Sequence, residues 1–201
     1  PIYHSDSFKH CRLNCMESLS KKEIQELVFA EVAAKHSEHL TLKVTIGSGS
    51  EAELDDLRIL YEKGFIKWQA SLKANPYMTP VSNSSELITA VVYYGDPIEK
   101  YACIGYAIGC INAEGTALEI THMEKRKDAG NEWCSKFLPL IVDAYTSYGL
   151  LMNTLGATKI NKLALVGPLP GVKKYYKESG FEYTADYLDT DAMISFLKTI
   201  D

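Results

Sequence analysis

The side chains best suited to chemistry in this sequence crowd into residues 119–134. Glu119 and Glu124 flank His122, with Thr121 and Met123 between them. A carboxylate or an imidazole at such a place can take a proton from a reacting group, and histidine has the intrinsic pKa nearest neutrality. Glu119 stands out because carboxylates are depleted inside strands. On simple alternation Glu119, Thr121 and Met123 share one face, and His122 and Glu124 the other. A solvated strand position for Glu119 and a hydrogen-bonded structural role for His122 are the plain alternatives. Lys125, Arg126 and Lys127 follow as a basic run suited to phosphate oxygens, with a solvated turn as the alternative. Cys134 has no histidine partner evident in the sequence, so a small buried or half-buried residue is expected there. His4, His10, Cys11 and Cys15 fit no zinc spacing, and no metal site is expected.

The elements that must carry these groups are legible from capping signals and periodicity. Ser20 with Glu23, and Ser50 with Glu53, have capping-box spacing, and Leu19 with Ile24 is placed as a hydrophobic staple. They predict helices over about 21–36 and from 51 to near Gly64, separated by a strand at 41–46. A second short helix over 65–74 and a long loop over 75–86 follow. Three strands at 87–94, 101–111 and 116–123, joined by short turns, read as an antiparallel meander. Gly105 and Gly109 sit in the middle one and mark a bulge or a close approach. Phe137, Leu140, Ile141, Ala144, Tyr145, Tyr148, Leu151, Met152 and Leu155 form a long helical stripe. Pro139 implies either that this helix starts near Leu138, after a longer loop, or that it is kinked. A strand at 162–166, a short helix at 171–179, a strand at 181–187 and a final helix over 190–200 complete the order. A meander followed by strand–helix–strand implies a mixed sheet with helices on both faces, an α/β fold.

At 201 residues the chain can bury one full core. Its formal charge of −5 points away from nucleic acid and is compatible with a cationic partner. The most apolar stretch, 137–155, is interrupted by Pro139 and Asp143, so no membrane span is expected. The first twenty residues lack the apolar core of a secretion signal, and five cysteines without scaffold spacing suit a reducing cytoplasm.

Two segments make the element order resemble a known family. The run Gly171-Val-Lys-Lys-Tyr-Tyr-Lys-Glu-Ser-Gly-Phe181 is similar to the segment of GNAT acetyltransferases in which a helix bearing an aromatic–Tyr pair closes on Gly-Phe. The strand at 116–123, a charged loop and a long amphipathic helix resemble that family's cofactor-binding segment. The resemblance covers about residues 87–187. It implies a GNAT-like acyltransferase domain over 38–201, with residues 1–37 as an N-terminal helical extension.

The resemblance further implies acetyl-CoA as co-substrate, its pantetheine arm lying where two parallel strands, 116–123 and 162–166, splay apart. Thr121 and Met123 would then border the arm, and the thioester would lie near Glu119–His122. The pyrophosphate would meet backbone N–H groups at the start of the long helix. Counted from Arg126, the family's loop offsets fall on Ala129 and Asn131; counted from Lys127, on Gly130 and Glu132. A Glu132 carboxylate facing that site would repel the phosphates. Tyr176 matches the tyrosine that protonates the departing thiolate, and Glu119 or His122 would deprotonate the amine. The implied activity is acetyl transfer to a small-molecule or peptide amine, and the oligomeric state, a homodimer included, stays open. The alternative is a GNAT-shaped binding or regulatory protein without catalysis.

Overall fold

The computed structural model describes residues 16, 18–67 and 81–197. Both capping boxes are formed. Ser20 and Glu23 open α1 (Lys21–Ser37), and Ser50 and Glu53 open α2 (Glu51–Glu62). Each satisfies two N–H groups that a helix start leaves without partners. Between them runs β1 (Lys43–Gly47). Residues 65–67 are not helical, and the rest of the short helix expected over 65–74 lies outside the described residues.

The meander consists of β2 (Leu87–Asp96), β3 (Lys100–Ile111) and β4 (Ala117–Lys125). It is followed by α3 (Phe137–Thr154), β5 (Lys162–Val166), α4 (Lys173–Glu178), β6 (Glu182–Tyr187) and β7 (Thr190–Phe196). The seven strands form one mixed sheet in the order β1-β2-β3-β4-β5-β7-β6. Only β4 and β5 pair in parallel; every other neighbouring pair is antiparallel. The fold is α/β.

The final helix expected over 190–200 is instead β7. Leu188 and Asp189 both have positive φ (51° and 61°), the backbone of a tight two-residue turn. Neither is glycine or asparagine, and Asp189 alone is of a turn-forming type, so the mark in the sequence is weak. Ala192 and Met193, consecutive and so on opposite faces of the sheet, are both buried, and a strand buried on both faces has no alternation to distinguish it from a helix. Residues 198–201 lie outside the described residues.

Helices α1 and α3 cover one face of the sheet. Ile24, Val28, Phe29 and Val32 of α1 share a core with Leu140, Ile141, Ala144 and Tyr145 of α3 and with Leu118 and Ile120 of β4. Helix α1, which lies in the expected extension 1–37, packs its apolar stripe onto the sheet and α3. Helix α2 covers the other face, where Leu57 and Leu60 meet Val91, Tyr106 and Ile108. Pro139 causes no kink: α3 starts at Phe137, so the proline falls in the first turn, where its missing N–H has no intrahelical partner to lose.

Candidate active site at the bulge of β4

The parallel pairing of β4 with β5 runs from Ala117–Lys162 to Ile120–Leu165 and goes no further. From Thr121 onward β4 pairs with β3 alone. The separation coincides with a bulge. On β3 the register steps from Ile108 to Gly109, while on β4 it steps from His122 to Ile120, leaving Thr121 as the extra residue. Gly109 permits the close approach this demands, since a Cβ there would lie 1.9 Å from the Glu119 carbonyl oxygen. Gly105, opposite Lys125, does the same against the Glu124 carbonyl oxygen, at 2.5 Å. The expectation of a bulge or a close approach at these glycines is met on both counts.

The bulge reassigns the faces of β4. Glu119 stands opposite Cys110, His122 opposite Ile108 and Glu124 opposite Tyr106, and directly opposed residues project to the same side of a sheet. Glu119, His122 and Glu124 therefore share the α2 face, while Leu118, Ile120 and Met123 pack toward α3. The alternation read from sequence fails past Ile120 because one inserted residue shifts the period for everything after it.

Glu119 is a buried carboxylate, 1% exposed, so it is not a solvated strand residue. Tyr187 donates to its Oε1 at 2.8 Å, Ser82 donates to its Oε2, and the Cys110 thiol lies 3.7 Å from the same oxygen. Such a carboxylate needs donors, because an unpaired charge out of water is costly. Sequence reasoning missed Ser82 and Tyr187. Ser82 lies in an irregular segment before β2, and Tyr187 is carried by the β6–β7 hairpin, whose own register shifts between Thr184 and Tyr187. Burial, with the carboxylate second, pushes the Tyr187 phenol well up; burial also pushes up the Cys110 thiol. Both groups are neutral donors at neutral pH.

His122 Nδ1 lies 3.0 Å from Thr121 Oγ1, which itself lies 3.3 Å from the Ile108 carbonyl oxygen. Glu124 accepts the Lys67 N–H at 2.8 Å. Tyr176 projects from α4, its ring packed 6.2 Å from that of Phe181 and 6.0 Å from that of Tyr175. Burial pushes its phenol up to about 12, so it carries its proton at neutral pH.

The basic run is tied to the protein. Arg126 pairs with Asp128, donates to the Cys103 carbonyl at 3.1 Å and stacks its guanidinium 4.6 Å from the Phe65 ring centre. Lys127 donates to the Gly64 carbonyl at 2.9 Å. The two side chains anchor the loop after β4 to the end of α2. Ala129 is packed against the main core, whereas Gly130 has φ +89° with open space where a Cβ would stand. Asn131 begins a single 3-10 turn (Asn131–Cys134) that precedes α3. Glu132 turns toward β1 and β2, accepting from the Thr41 N–H at 2.9 Å and from the Tyr94 hydroxyl. Cys134, expected to be buried or half-buried, is exposed, because Trp133 takes the inward position of that short turn. Among the described residues no cluster of three or more metal-ligating side chains exists, and no helix is long and apolar enough to cross a membrane. His4, His10, Cys11 and Cys15 lie outside the described residues.

No family model matches this chain, and no curated protein matches it. Solved structures similar to it include the GNAT domain of S. lividans PAT, at 11% identity over 79% of this chain and 95% of that one, with a TM-score of 0.48. The aminoglycoside 6'-N-acetyltransferase from Enterococcus faecium is similar at 12% identity over 78% and 99%, with a TM-score of 0.45. N-acetylglutamate synthase from Neisseria gonorrhoeae, complexed with coenzyme A and N-acetyl-glutamate, is similar at 16% identity over 78% of this chain and 35% of that one, with a TM-score of 0.46.

Proposed function

We propose that this protein is an acetyl-CoA-dependent N-acetyltransferase acting on an amine of a small molecule or peptide by direct attack on the thioester. The observation that supports it most is the parting of β4 from β5 at the Thr121 bulge, two residues from a buried carboxylate. Backbone groups of Thr121–Met123 freed from β5 have the polarity to border a pantetheine arm and to polarise a thioester carbonyl. Backbone N–H groups of Gly130 and Asn131 are the donors for the pyrophosphate, the Ala129 N–H closing the turn onto the Arg126 carbonyl at 3.3 Å, with Arg126 and Lys127 fixing the loop. The position of Glu132, turned to Tyr94 and Thr41, is favourable, since its charge does not face that loop.

Bound acetyl-CoA supplies an acyl group activated as a thioester. Glu119 takes the proton that makes the amine nucleophilic, His122 beside the bulge being the second candidate. Tyr176 gives a proton to the departing thiolate, a proton that its phenol carries at neutral pH. Holding the amine and thioester together supplies much of the rate.

A GNAT-shaped binding protein without catalysis is the second reading. It is favoured by the commitment of Arg126 and Lys127 to Asp128, Phe65 and Gly64. Thermal shift and calorimetry with CoA and acetyl-CoA, followed by thiol release on an amine panel, separate the two. Saturating acetyl-CoA is expected to raise the melting temperature, and adenosine to leave it unchanged. Absence of both shift and heat removes the acetyltransferase reading, and binding without thiol release favours the second.

A further inference from the structure

We infer that Ser82 is the group through which the acceptor amine passes its proton to Glu119, a role that rests on the acetyltransferase reading above. At 1% exposure the Glu119 carboxylate cannot itself meet an amine arriving from solvent. Among the described residues three side chains donate to it or lie against it. Cys110 is buried, Tyr187 is half-buried, and Ser82 alone is exposed. Its hydroxyl is bonded to Glu119 Oε2 and lies 3.5 Å from the Cys110 sulfur. A serine hydroxyl keeps a free lone pair while it donates, so it can accept one proton as it releases another.

The protons balance as follows. An ammonium N–H proton moves to Ser82 Oγ while the serine's own proton passes to Glu119 Oε2, leaving a neutral amine. The nitrogen lone pair forms the C–N bond, the C–S bond breaks, and the thiolate takes the Tyr176 proton. The second nitrogen proton leaves to water. Glu119 then loses its proton to solvent and Tyr176 regains one, so a single proton is released per turnover.

Tyr187 holds the other carboxylate oxygen and is a positioning residue. The ionisable groups around this carboxylate are Tyr187 and Cys110 in contact, His122 beyond the bulge on the same face, and Lys162 and Glu114 flanking Tyr187. The Lys162 ammonium lies 5.7 Å from the Tyr187 ring centre.

The test uses the whole chain, acetyl-CoA and acceptors graded in basicity, from alkylamines protonated at neutral pH to weakly basic hydrazines of the aryl type, which are not. Ser82→Ala is expected to lower kcat/KM about 10²-fold for the alkylamines and to leave the hydrazines within about twofold of wild type. The alkylamine deficit should shrink as pH rises toward the amine's own pKa, and Ser82→Thr should restore most of the activity. The thermal shift with CoA should be unchanged, because no cofactor contact is altered. An equal loss for both acceptor types, or no loss for either, with CoA binding intact, overturns the relay and leaves the acetyltransferase reading standing. A wild-type protein that binds no CoA takes down both.

Discussion

The two faces of β4 differ in what they tolerate. Toward α3, Leu118 and Ile120 lie in a core with Leu140, Ile141 and Tyr145, where polar atoms are few: Tyr145 donates to the Ile88 carbonyl at 2.8 Å, and the buried Trp133 Nε1 has no partner among the described residues. Toward α2, the same strand presents Glu119, His122 and Glu124; His122 meets the neighbouring Thr121 hydroxyl, and both carboxylates are engaged by groups from other parts of the chain. Ser82 and Lys67 reach them from the connection between α2 and β2, and Tyr187 reaches in from the far hairpin. One face is apolar and fixed by volume. The other is polar and fixed by hydrogen-bond geometry. The Thr121 bulge lets one strand serve both, because it keeps Met123 on the apolar side while turning His122 to the polar side.

The largest effect that sharpens this contrast concerns the phenols of α4. Tyr176 packs against the apolar core while keeping its proton; neighbouring Tyr175 is exposed. Tyr176→Phe keeps the ring and removes the proton donor, so kcat is expected to fall about 10²–10⁴-fold with little change in CoA affinity or melting temperature. Tyr175→Phe should leave steady-state kinetics nearly unchanged. Wild-type kcat in Tyr176→Phe across the pH range would leave α4 a packing element only.

The apolar face was open to sequence reading and the polar face largely was not. Period 3.6 in α1 and α3, the two capping boxes and the alternating meander are repeated local signals, and each element stands where those signals put it. Glu119 was conspicuous as a carboxylate in a strand, and its burial bears out its oddity. Its partners come from positions 82, 110 and 187, and no local spacing connects them. The face assignment of His122 failed on a single inserted residue, which glycine at 109 permits and does not dictate. The β6–β7 turn through Leu188–Asp189 carried only one turn-forming residue, Asp189, too weak a signal to split the segment into two strands.

A smaller effect breaks the contrast at its source. Adding a methyl at Gly109 puts it 1.9 Å from the Glu119 carbonyl, a backbone atom that cannot swing aside. Gly109→Ala is expected to cost about 1–3 kcal/mol, as overpacking does. It should also lower kcat/KM, because the strand must shift where Glu119 and Thr121 are placed. Gly156→Ala, just past the end of α3, is the companion: its left-handed backbone (φ +74°) is strained by a side chain, but the space is open. It should cost about 1 kcal/mol and leave the β4–β5 separation unaltered. Urea melts of the two variants, read beside kcat/KM, check this; equal activity loss in both would detach the bulge from catalysis.

The smallest effect lies at the edge of the apolar face. The Glu132 carboxyl is held below the usual carboxylate range, first by the Tyr94 hydroxyl and then by the Thr41 backbone N–H and hydroxyl and the Lys136 ammonium. A depressed folded-state pKa means that the folded protein binds this proton less readily than the unfolded chain does. The stabilisation is complete above the ordinary carboxylate pKa, about 4.3, and is lost as pH falls through the lower folded value. Because the side chain is partly in contact with solvent, the contribution is small and screened by salt. Glu132→Gln keeps the acceptor for Thr41 and removes the charge. Urea melts from neutrality down to acid should show the variant slightly less stable at neutral pH, the gap closing below the ordinary carboxylate range. A gap that stays constant down to the most acidic point would mean that Glu132 acts through shape and neutral hydrogen bonds alone. In that case the absence of its charge from the loop beside Gly130 would rest on where its side chain lies, and its ionisation would add nothing to the fold.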